Sequence, residues 1–105
     1  MRILEDFFLY YWLTEGIMRY YVYIIYSSKM DVYYVGQTDN LEERLSSHNT
    51  GKSKYTSRAK DWVMVYHEEF GSRTDSRMRE NEIKRKKSRK YIESLMSASS
   101  RPKSG

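Results

Sequence analysis

Two short aromatic runs near the start of the chain constrain its fold most strongly. Residues 20–26 read YYVYIIY and residues 32–35 read VYYV, and both are rich in the aromatic and β-branched residues that favour strands. The polar segment SSKMD lies between them, where a turn is favoured. The pattern predicts a β-hairpin whose second strand ends at Gly36. Tyrosines are so frequent in these strands that some of them are candidates for a role beyond packing.

A helix and a loop are predicted after the hairpin. Asp39 or Asn40 is placed to cap the helix, because a glutamate lies three residues after each of them, and the helix is expected to run to about Asn49. Gly51 would close it. Residues 50–60 are small, polar and basic, which is typical of a loop or a short helical turn.

A third strand and two further helices complete the predicted elements. The strand covers residues 62–70, and the next helix covers residues 74–87, beginning near Ser72 or Thr74. Ser88 is placed to cap the last helix. Three side chains of that helix are expected to face inward, namely Tyr91, Ile92 and Leu95.

The order ββαβαα predicts an α+β fold, with a small antiparallel three-stranded sheet flanked by helices. A chain of 105 residues has room for one small domain. This domain is expected over residues 18–97, followed by a flexible tail over residues 98–105. Because Met18 directly precedes the first strand, residues 1–17 are interpreted as an extension, either an accessory helix or an over-called translation start.

Composition excludes several kinds of site. The chain has no cysteine, so disulfides and thiolate metal sites are excluded, and its two histidines are too few for a structural zinc site. The absence of cysteine also favours a reducing compartment, and a cytoplasmic location is expected. Residues 71–105 carry eleven lysines and arginines against four acidic residues. This asymmetry indicates an anionic partner, either nucleic acid or a membrane surface, or else a solvated helix face.

The first 17 residues contain an apolar run that Glu5 and Asp6 interrupt. The run is too short to span a bilayer, so a transmembrane helix is not expected. The favoured partner is not a membrane. A less favoured alternative is a peripheral membrane or protein-interaction factor that uses residues 3–13 as an amphipathic element beside the basic helix. The oligomeric state is left open.

The first predicted helix carries a polar pair that suggests chemistry. Arg44 and His48 fall together on one face, while Leu41 and Leu45 fall on another, so the polar pair is expected to point away from the core that the leucines fill. Hydrolysis of a phosphodiester requires an activated water, a cation near the phosphorus and neutralisation of the leaving oxygen. A carboxylate such as that of Glu80 can hold Mg²⁺, which needs only one or two protein oxygens.

Residues 21–23 read YVY and residues 34–36 read YVG, with ten residues between Tyr23 and Tyr34. These two elements resemble the Gly-Ile-Tyr and Tyr-Ile-Gly elements of the GIY-YIG nuclease family. The resemblance covers residues 20–96 and is closest to the small stand-alone bacterial members. The segment is also similar to the N-terminal nuclease domain of the excision-repair C subunit.

Later motifs match the same family in order. Arg44 lies ten residues after Tyr34, where the family has an arginine, and His48 follows one helical turn later, where relatives have His or Tyr. Glu80 matches the metal-binding glutamate that follows the third strand. The elements HN-x-G-K and KYT of the small bacterial members are present at residues 48–52 and 54–56.

The resemblance implies a single-metal endonuclease that hydrolyses DNA with one Mg²⁺ or Mn²⁺ ion. Tyr23 would take a proton from the attacking water, and His48 would accept the phenolic proton in turn. Tyr34 would position the water or the scissile phosphate, and Arg44 would stabilise charge on that phosphate. Glu80 would hold the metal ion against the 3′ leaving oxygen.

The expected partner is DNA, whether duplex, nicked or branched. Preference for DNA shape over sequence is expected, together with a link to repair or recombination. Seven residues are predicted to contact the nucleic acid: Gly36, Gln37, Lys52, Lys54, Arg58, Lys84 and Lys87.

The sequence also departs from the family pattern. Tyr21 replaces the first glycine, Gln37 and Thr38 stand where a basic residue is frequent, and residues 90–92 contain no counterpart of an asparagine that many members carry. A DNA-binding module of the same fold with weak or absent catalysis is therefore the alternative. Glu80 also lies among basic residues of its helix, so an intrahelical ion pair is the alternative interpretation for it.

Overall fold

The computed structural model describes residues 18–100, and its elements follow the predicted order. The elements are β1 (Tyr20–Ser27), β2 (Val32–Thr38), α1 (Leu41–Asn49), a 3₁₀ turn (Lys54–Thr56), β3 (Trp62–Phe70), α2 (Arg73–Lys86) and α3 (Arg89–Ser100). The predicted α+β fold with an antiparallel three-stranded sheet is confirmed. The predictions for residues 1–17 and for residues 101–105 lie outside the described part of the chain.

The sheet has the strand order β2-β1-β3, so β1 pairs antiparallel with both neighbours and β2 is an edge strand. Successive side chains of a strand point to opposite faces. Val22 and Ile24 of β1 pack on one face with Ile83, whereas Tyr23 and Ile25 pack on the other. All four β1 side chains are completely buried, so the central strand contributes to both layers of the core.

Helices cover both faces of the sheet. On the face of Ile83 lie α2 and α3, and the inward-facing residues predicted for α3, namely Tyr91, Ile92 and Leu95, pack against that cluster. On the other face lies α1, whose Leu41 and Leu45 pack against the cluster containing Tyr23. No helix within residues 18–100 combines the length and the apolar character needed to cross a membrane.

Side-chain caps fix the starts of all three helices. The Asn40 side chain accepts a hydrogen bond from the Glu43 backbone, and Ser72 accepts one from the Asp75 backbone. Ser88 Oγ lies 3.0 Å from the backbone nitrogen of Tyr91. Each cap satisfies a backbone donor that the first helical turn leaves without an intrahelical partner. The caps predicted from the sequence therefore set where each helix begins.

Two elements run further than the sequence pattern indicates. The prediction that β2 ends at Gly36 is wrong, because Gly36 pairs with Tyr23 and the strand continues to Thr38. The last helix continues to Ser100, three residues beyond the expected end of the domain at residue 97. Residues 97–100 are small and contain no helix breaker, and the first proline of the chain is at position 102.

An asparagine joins the end of α1 to β3. Asn49 Nδ2 donates to the carbonyl oxygen of Trp62 at 2.9 Å, and Asn49 Oδ1 accepts from the Trp62 backbone nitrogen at 2.8 Å. The indole nitrogen of Trp62 in turn donates to the Thr56 carbonyl at 3.0 Å. These bonds fix α1 and the 3₁₀ turn against the same face of the sheet, which positions their side chains beside Tyr23.

Candidate active site

A pocket of about 310 Å³ lies beside the edge strand β2, where residues from both helical layers meet. It is lined by Tyr23, Tyr34, Gly36, Gln37, Arg44, Arg77, Glu80 and Asn81. Four of the five predicted catalytic residues line this pocket together, although they come from β1, β2, α1 and α2. The Glu80 carboxylate is thus on the same side of the molecule as the two phenols.

Gly36 makes room for the hydroxyl of Tyr23. The two residues are cross-strand partners, and a Cβ atom at position 36 would lie 2.5 Å from Tyr23 Oη and 2.7 Å from Cζ. Those distances are shorter than van der Waals contact allows. A glycine is therefore required at this position, because the phenol occupies the space that any side chain would take.

A chain of hydrogen bonds runs inward from the pocket through three segments of the fold. Arg44 Nε donates to Tyr23 Oη at 3.2 Å, Tyr23 Oη lies 2.8 Å from His48 Nε2, and His48 Nδ1 lies 2.6 Å from Thr56 Oγ1. Tyr23 and His48 have no exposed surface, and Thr56 has almost none. Each buried polar atom in this series of hydrogen bonds therefore has a hydrogen-bond partner, as burial requires.

Burial and charge set the protonation of this chain. Burial raises the pKa of Tyr23 to about 12, and the Arg44 guanidinium opposes that shift. Burial, with a smaller repulsion from Arg44, lowers the pKa of His48 to about 4. The hydrogen bond to Tyr23 raises the pKa of Arg44. At neutral pH the site therefore holds a neutral phenol, a neutral imidazole and a guanidinium cation.

The expectation that His48 points away from the core is wrong. Its imidazole is fully buried, with its ring centroid 5.1 Å from that of Tyr34 and 6.5 Å from that of Trp62, inside the layer that the leucines of α1 also fill. A neutral imidazole with both nitrogens hydrogen-bonded can be buried at low cost. The pairing of His48 with Arg44 is still real, because both contact the same phenolic oxygen.

Glu80 takes part in both arrangements predicted for it, the ion pair within its helix and the candidate active site. Its carboxylate lies 2.8 Å from Lys84 Nζ in an i,i+4 ion pair, and Lys84 also lies over the Tyr34 ring, 6.0 Å from its centroid. The same carboxylate lines the pocket, and its side chain is only 16% exposed, against 47% for Lys84. The ion pair therefore lies at the margin of the pocket and gives Glu80 a cationic neighbour there.

The donor set suits a weakly held, hydrated Mg²⁺ ion. No group of three or more His, Asp or Glu side chains within residues 18–100 could enclose a metal. Mg²⁺ keeps most of its waters and is commonly held by one or two carboxylates together with substrate phosphate. One carboxylate in a pocket that also carries arginines for the phosphate fits that mode, and Glu80 is the residue that would hold the ion.

The predicted nucleic-acid contacts differ in their surroundings. Gln37 Oε1 accepts from Ser76 Oγ at 3.2 Å and from Arg73 at 3.4 Å, so this side chain joins β2 to the start of α2. Lys54, Arg58 and Lys87 line two further grooves that Tyr34 also lines, as Lys84 does, and Lys52 is exposed on the turn after α1.

Three residues of the site were not identified from the sequence. Arg77 and Asn81 line the pocket from α2, and Thr56 binds the inner nitrogen of His48. A signal for the first two exists, because Arg77, Glu80, Asn81 and Lys84 follow the i, i+3, i+4, i+7 spacing of one helix face. Thr56 belongs to the KYT element at residues 54–56, but only the fold shows that its hydroxyl contacts His48.

Comparisons with known proteins agree with the sequence motifs. The family described as the GIY-YIG catalytic domain matches residues 19–92. A UPF0213 protein of Staphylococcus haemolyticus is 43% identical over 67 residues, which cover 63% of this chain and 80% of that protein. A UPF0213 protein of Bacillus pumilus is 34% identical over 81 residues, which cover 73% of this chain and 82% of the relative.

A solved structure is similar as well. The solution NMR structure of a UPF0213 protein from Bacillus halodurans matches with a TM-score of 0.51 and 31% sequence identity. The match covers 81% of this chain and 89% of that one.

Replacing Gly36 should damage the site without altering any of its polar groups. Gly36→Ala places a methyl group against Tyr23 Oη, so we expect it to lower the free energy of unfolding by about 1–3 kcal/mol, as overpacking does. Gly71→Ala is the matched control, because a Cβ atom there meets nothing within 4 Å. Urea denaturation of both variants checks this, and equal stabilities would contradict the proposed fit.

The buried imidazole predicts how stability depends on pH. The pKa of His48 is lowered from 6.5 to about 4 in the folded protein, so the unfolded chain binds more protons between these values. Stability is therefore complete above pH 6.5 and falls as the pH drops towards 4, with a slope of at most about 1.4 kcal/mol per pH unit for one proton. Urea denaturation between pH 7 and pH 5 measures this slope above the range in which most carboxylates titrate.

Two variants test whether His48 causes this dependence of stability on pH. In His48→Asn most of the slope between pH 7 and pH 5 should be lost. In His67→Asn, which alters an exposed histidine on β3, the slope should remain. The same slope in both variants would show that His48 is not the group that takes up the proton.

Proposed function

The chain belongs to the GIY-YIG catalytic domain family, and from this premise we propose that it is a divalent-metal-dependent DNA endonuclease. The observation that supports the proposal best is the convergence of Tyr23, Tyr34, Arg44 and Glu80 on one pocket. Two phenols, a guanidinium and a carboxylate supply the groups needed for proton transfer, phosphate binding and metal binding.

The charges around the pocket suit a phosphodiester anion. Arg44 and Arg77 both line it, and neither has an ion-pair partner among the described residues. Arg44 donates from Nε to Tyr23 and also interacts with the Tyr34 hydroxyl. A phosphate in the pocket would bind the same planar guanidinium. We assign to Arg44 the stabilisation of the charge that develops on the phosphate oxygens during hydrolysis.

Tyr23 is suited to relay a proton without being ionised beforehand. With a pKa of about 12, only about one Tyr23 in 10⁵ is a phenolate at pH 7, so a preformed phenolate is too rare to be efficient. In the relay, the attacking water gives its proton to Tyr23 Oη as its oxygen bonds to phosphorus, and the phenolic proton passes to His48 Nε2. This requires the tautomer in which His48 Nδ1 donates to Thr56.

The proton that reaches His48 in this relay is held only briefly. Because the pKa of His48 is lowered to about 4, its imidazolium form gives the proton back readily at neutral pH. The bond from phosphorus to the 3′ oxygen breaks, and this oxygen takes up a proton from solvent to leave a hydroxyl group. Tyr23 lines the pocket although its side chain has no exposed surface, so the attacking water would have to approach it from the pocket.

Glu80 would hold one Mg²⁺ or Mn²⁺ ion, which when bound supplies positive charge to the scissile phosphate and the leaving oxygen. Tyr34 lines the same pocket as this carboxylate and Tyr23, and it would position the water or the phosphate. We further propose that the enzyme selects DNA by shape, and that its biological role is in repair or recombination.

Glu80→Gln should abolish metal-dependent cutting while leaving DNA binding largely intact, because the amide keeps the shape of the side chain and removes its charge. The measurement is cleavage of plain, nicked and branched duplex DNA with Mg²⁺ or Mn²⁺, alongside binding to the same DNA. Glu82→Gln is the matched control, because Glu82 lies on the same helix but outside the pocket. Absence of metal-dependent cutting by the unsubstituted protein on every DNA would overturn the proposal.

The second candidate is a DNA-binding module of the same fold without catalysis. It is favoured by two observations, the pairing of Glu80 with Lys84 and the engagement of Gln37 by Ser76 at a position where the family often has a cation. This candidate predicts salt-sensitive DNA binding with no hydrolysis by the unsubstituted protein or by Glu80→Gln.

A further inference from the structure

Tyr55 is an aromatic side chain with 83% of its surface exposed, although it lies beside the candidate active site. It is the most exposed of the large hydrophobic side chains within residues 18–100. Apolar side chains of this size are usually buried at least in part when they serve the core. Tyr55 therefore contributes little to the core, and its ring is accessible to a ligand.

The backbone that carries Tyr55 is held firmly. The next residue, Thr56, binds His48 through its hydroxyl group and accepts a hydrogen bond from the Trp62 indole through its carbonyl oxygen. The 3₁₀ turn is thus joined to the same chain of hydrogen bonds that reaches Tyr23. Because the backbone at this turn is already held in place, a ligand that packs on the Tyr55 ring has to order only the side chain and not the turn.

Two grooves flank the Tyr55 ring, one of about 630 Å³ and the other of about 650 Å³. Tyr34 lines both grooves and the catalytic pocket as well, and its ring centroid lies 6.1 Å from that of Tyr55. A nucleic-acid strand that lies over the Tyr55 ring therefore continues directly to the pocket proposed for the scissile phosphate.

The grooves are cationic on both sides of the ring. Lys54 and Arg58 line one groove, while Lys84 and Lys87 line the other. Asp31 is the one carboxylate in the described lining of either groove, and Arg89 already binds it. A ring between two sets of cations matches a nucleic-acid strand, whose phosphates need positive charge and whose bases stack on aromatic side chains.

The base that stacks on Tyr55 has to be unpaired. In a duplex both faces of a base are covered by its neighbours, so a protein ring reaches a face only when the base leaves the stack. We propose that Tyr55 is a stacking platform for an unpaired base next to the scissile phosphate, so that the protein prefers DNA with a single-stranded or splayed segment there. This inference rests on the proposed function and narrows its substrate.

The test compares binding of variants at one fixed salt concentration, using the full chain with Glu80→Gln so that no DNA is cut. The ligands are a fully paired duplex, the same duplex with a short internal bubble, and the single strand. Tyr55→Leu should weaken binding to the bubble and the single strand by about tenfold, because base stacking on an aromatic ring is lost. Binding to the paired duplex should change by less than about twofold.

Two controls separate stacking from other effects. Tyr55→Phe keeps the ring and should bind the unpaired ligands as tightly as the protein with Tyr55 does. Met78→Ala, at an exposed apolar side chain outside both grooves, should leave the affinity for all three DNAs unchanged. The fluorescence of a 2-aminopurine base placed at the unpaired position should be quenched when Tyr55→Phe binds the DNA. The quenching should be weaker when Tyr55→Leu binds it.

Three results would overturn the inference: no loss of binding in Tyr55→Leu, an equal loss on all three DNAs, or an equal loss in Tyr55→Phe and Tyr55→Leu. Each of these is read from binding alone. The proposed function is judged separately, by metal-dependent cutting with the unsubstituted protein, so one can fail without the other.

Discussion

The buried hydroxyl of Tyr23 is the point on which the geometry of the site depends. It lies against the bare backbone of Gly36 in the neighbouring strand and is hydrogen-bonded to Arg44 and His48 of α1. A phenol placed there needs a glycine opposite it, a donor on one side and an imidazole on the other. The hydroxyl thereby contacts both β2 and α1 from β1. The groups that would perform the chemistry also help to determine how these elements pack.

Helix α2 completes the site from the opposite layer of the fold. Its Ile83 is buried in the core, and the turns around it present Arg77, Glu80 and Lys84 beside the edge strand. The site therefore has an acid with cations on either side of it, which suits a negatively charged substrate approached by a single metal ion. The flanking grooves extend the same pattern beyond the pocket, since their lining combines tyrosines with further basic residues.

Much of this structure follows from local patterns in the sequence. The strands, the helix caps at Asn40 and Ser72, and the inward face of α3 are encoded by residues close together in the chain, so spacing and residue type were sufficient to predict them. The family motifs likewise predicted the four catalytic candidates that line the pocket.

The remaining features depend on contacts between distant segments. The sequence pattern predicts that a strand ends at Gly36, whereas the strand continues and a glycine is needed there to make room for the Tyr23 ring of the adjacent strand. The burial of His48 depends on Thr56, which lies outside α1, and the exposure of Tyr55 depends on how the 3₁₀ turn is held against β3. Periodicity within one helix carries no information about such partners.

The most direct test of the central claim is the single-turnover rate of DNA cleavage by Tyr23→Phe, compared with the unsubstituted protein at saturating Mg²⁺. Circular dichroism of both proteins confirms that equal amounts are folded. If the Tyr23 hydroxyl carries the proton of the attacking water, the rate should fall by about 10²-fold or more, as the loss of a general base does. Cleavage by Tyr23→Phe at the unsubstituted rate would contradict the account.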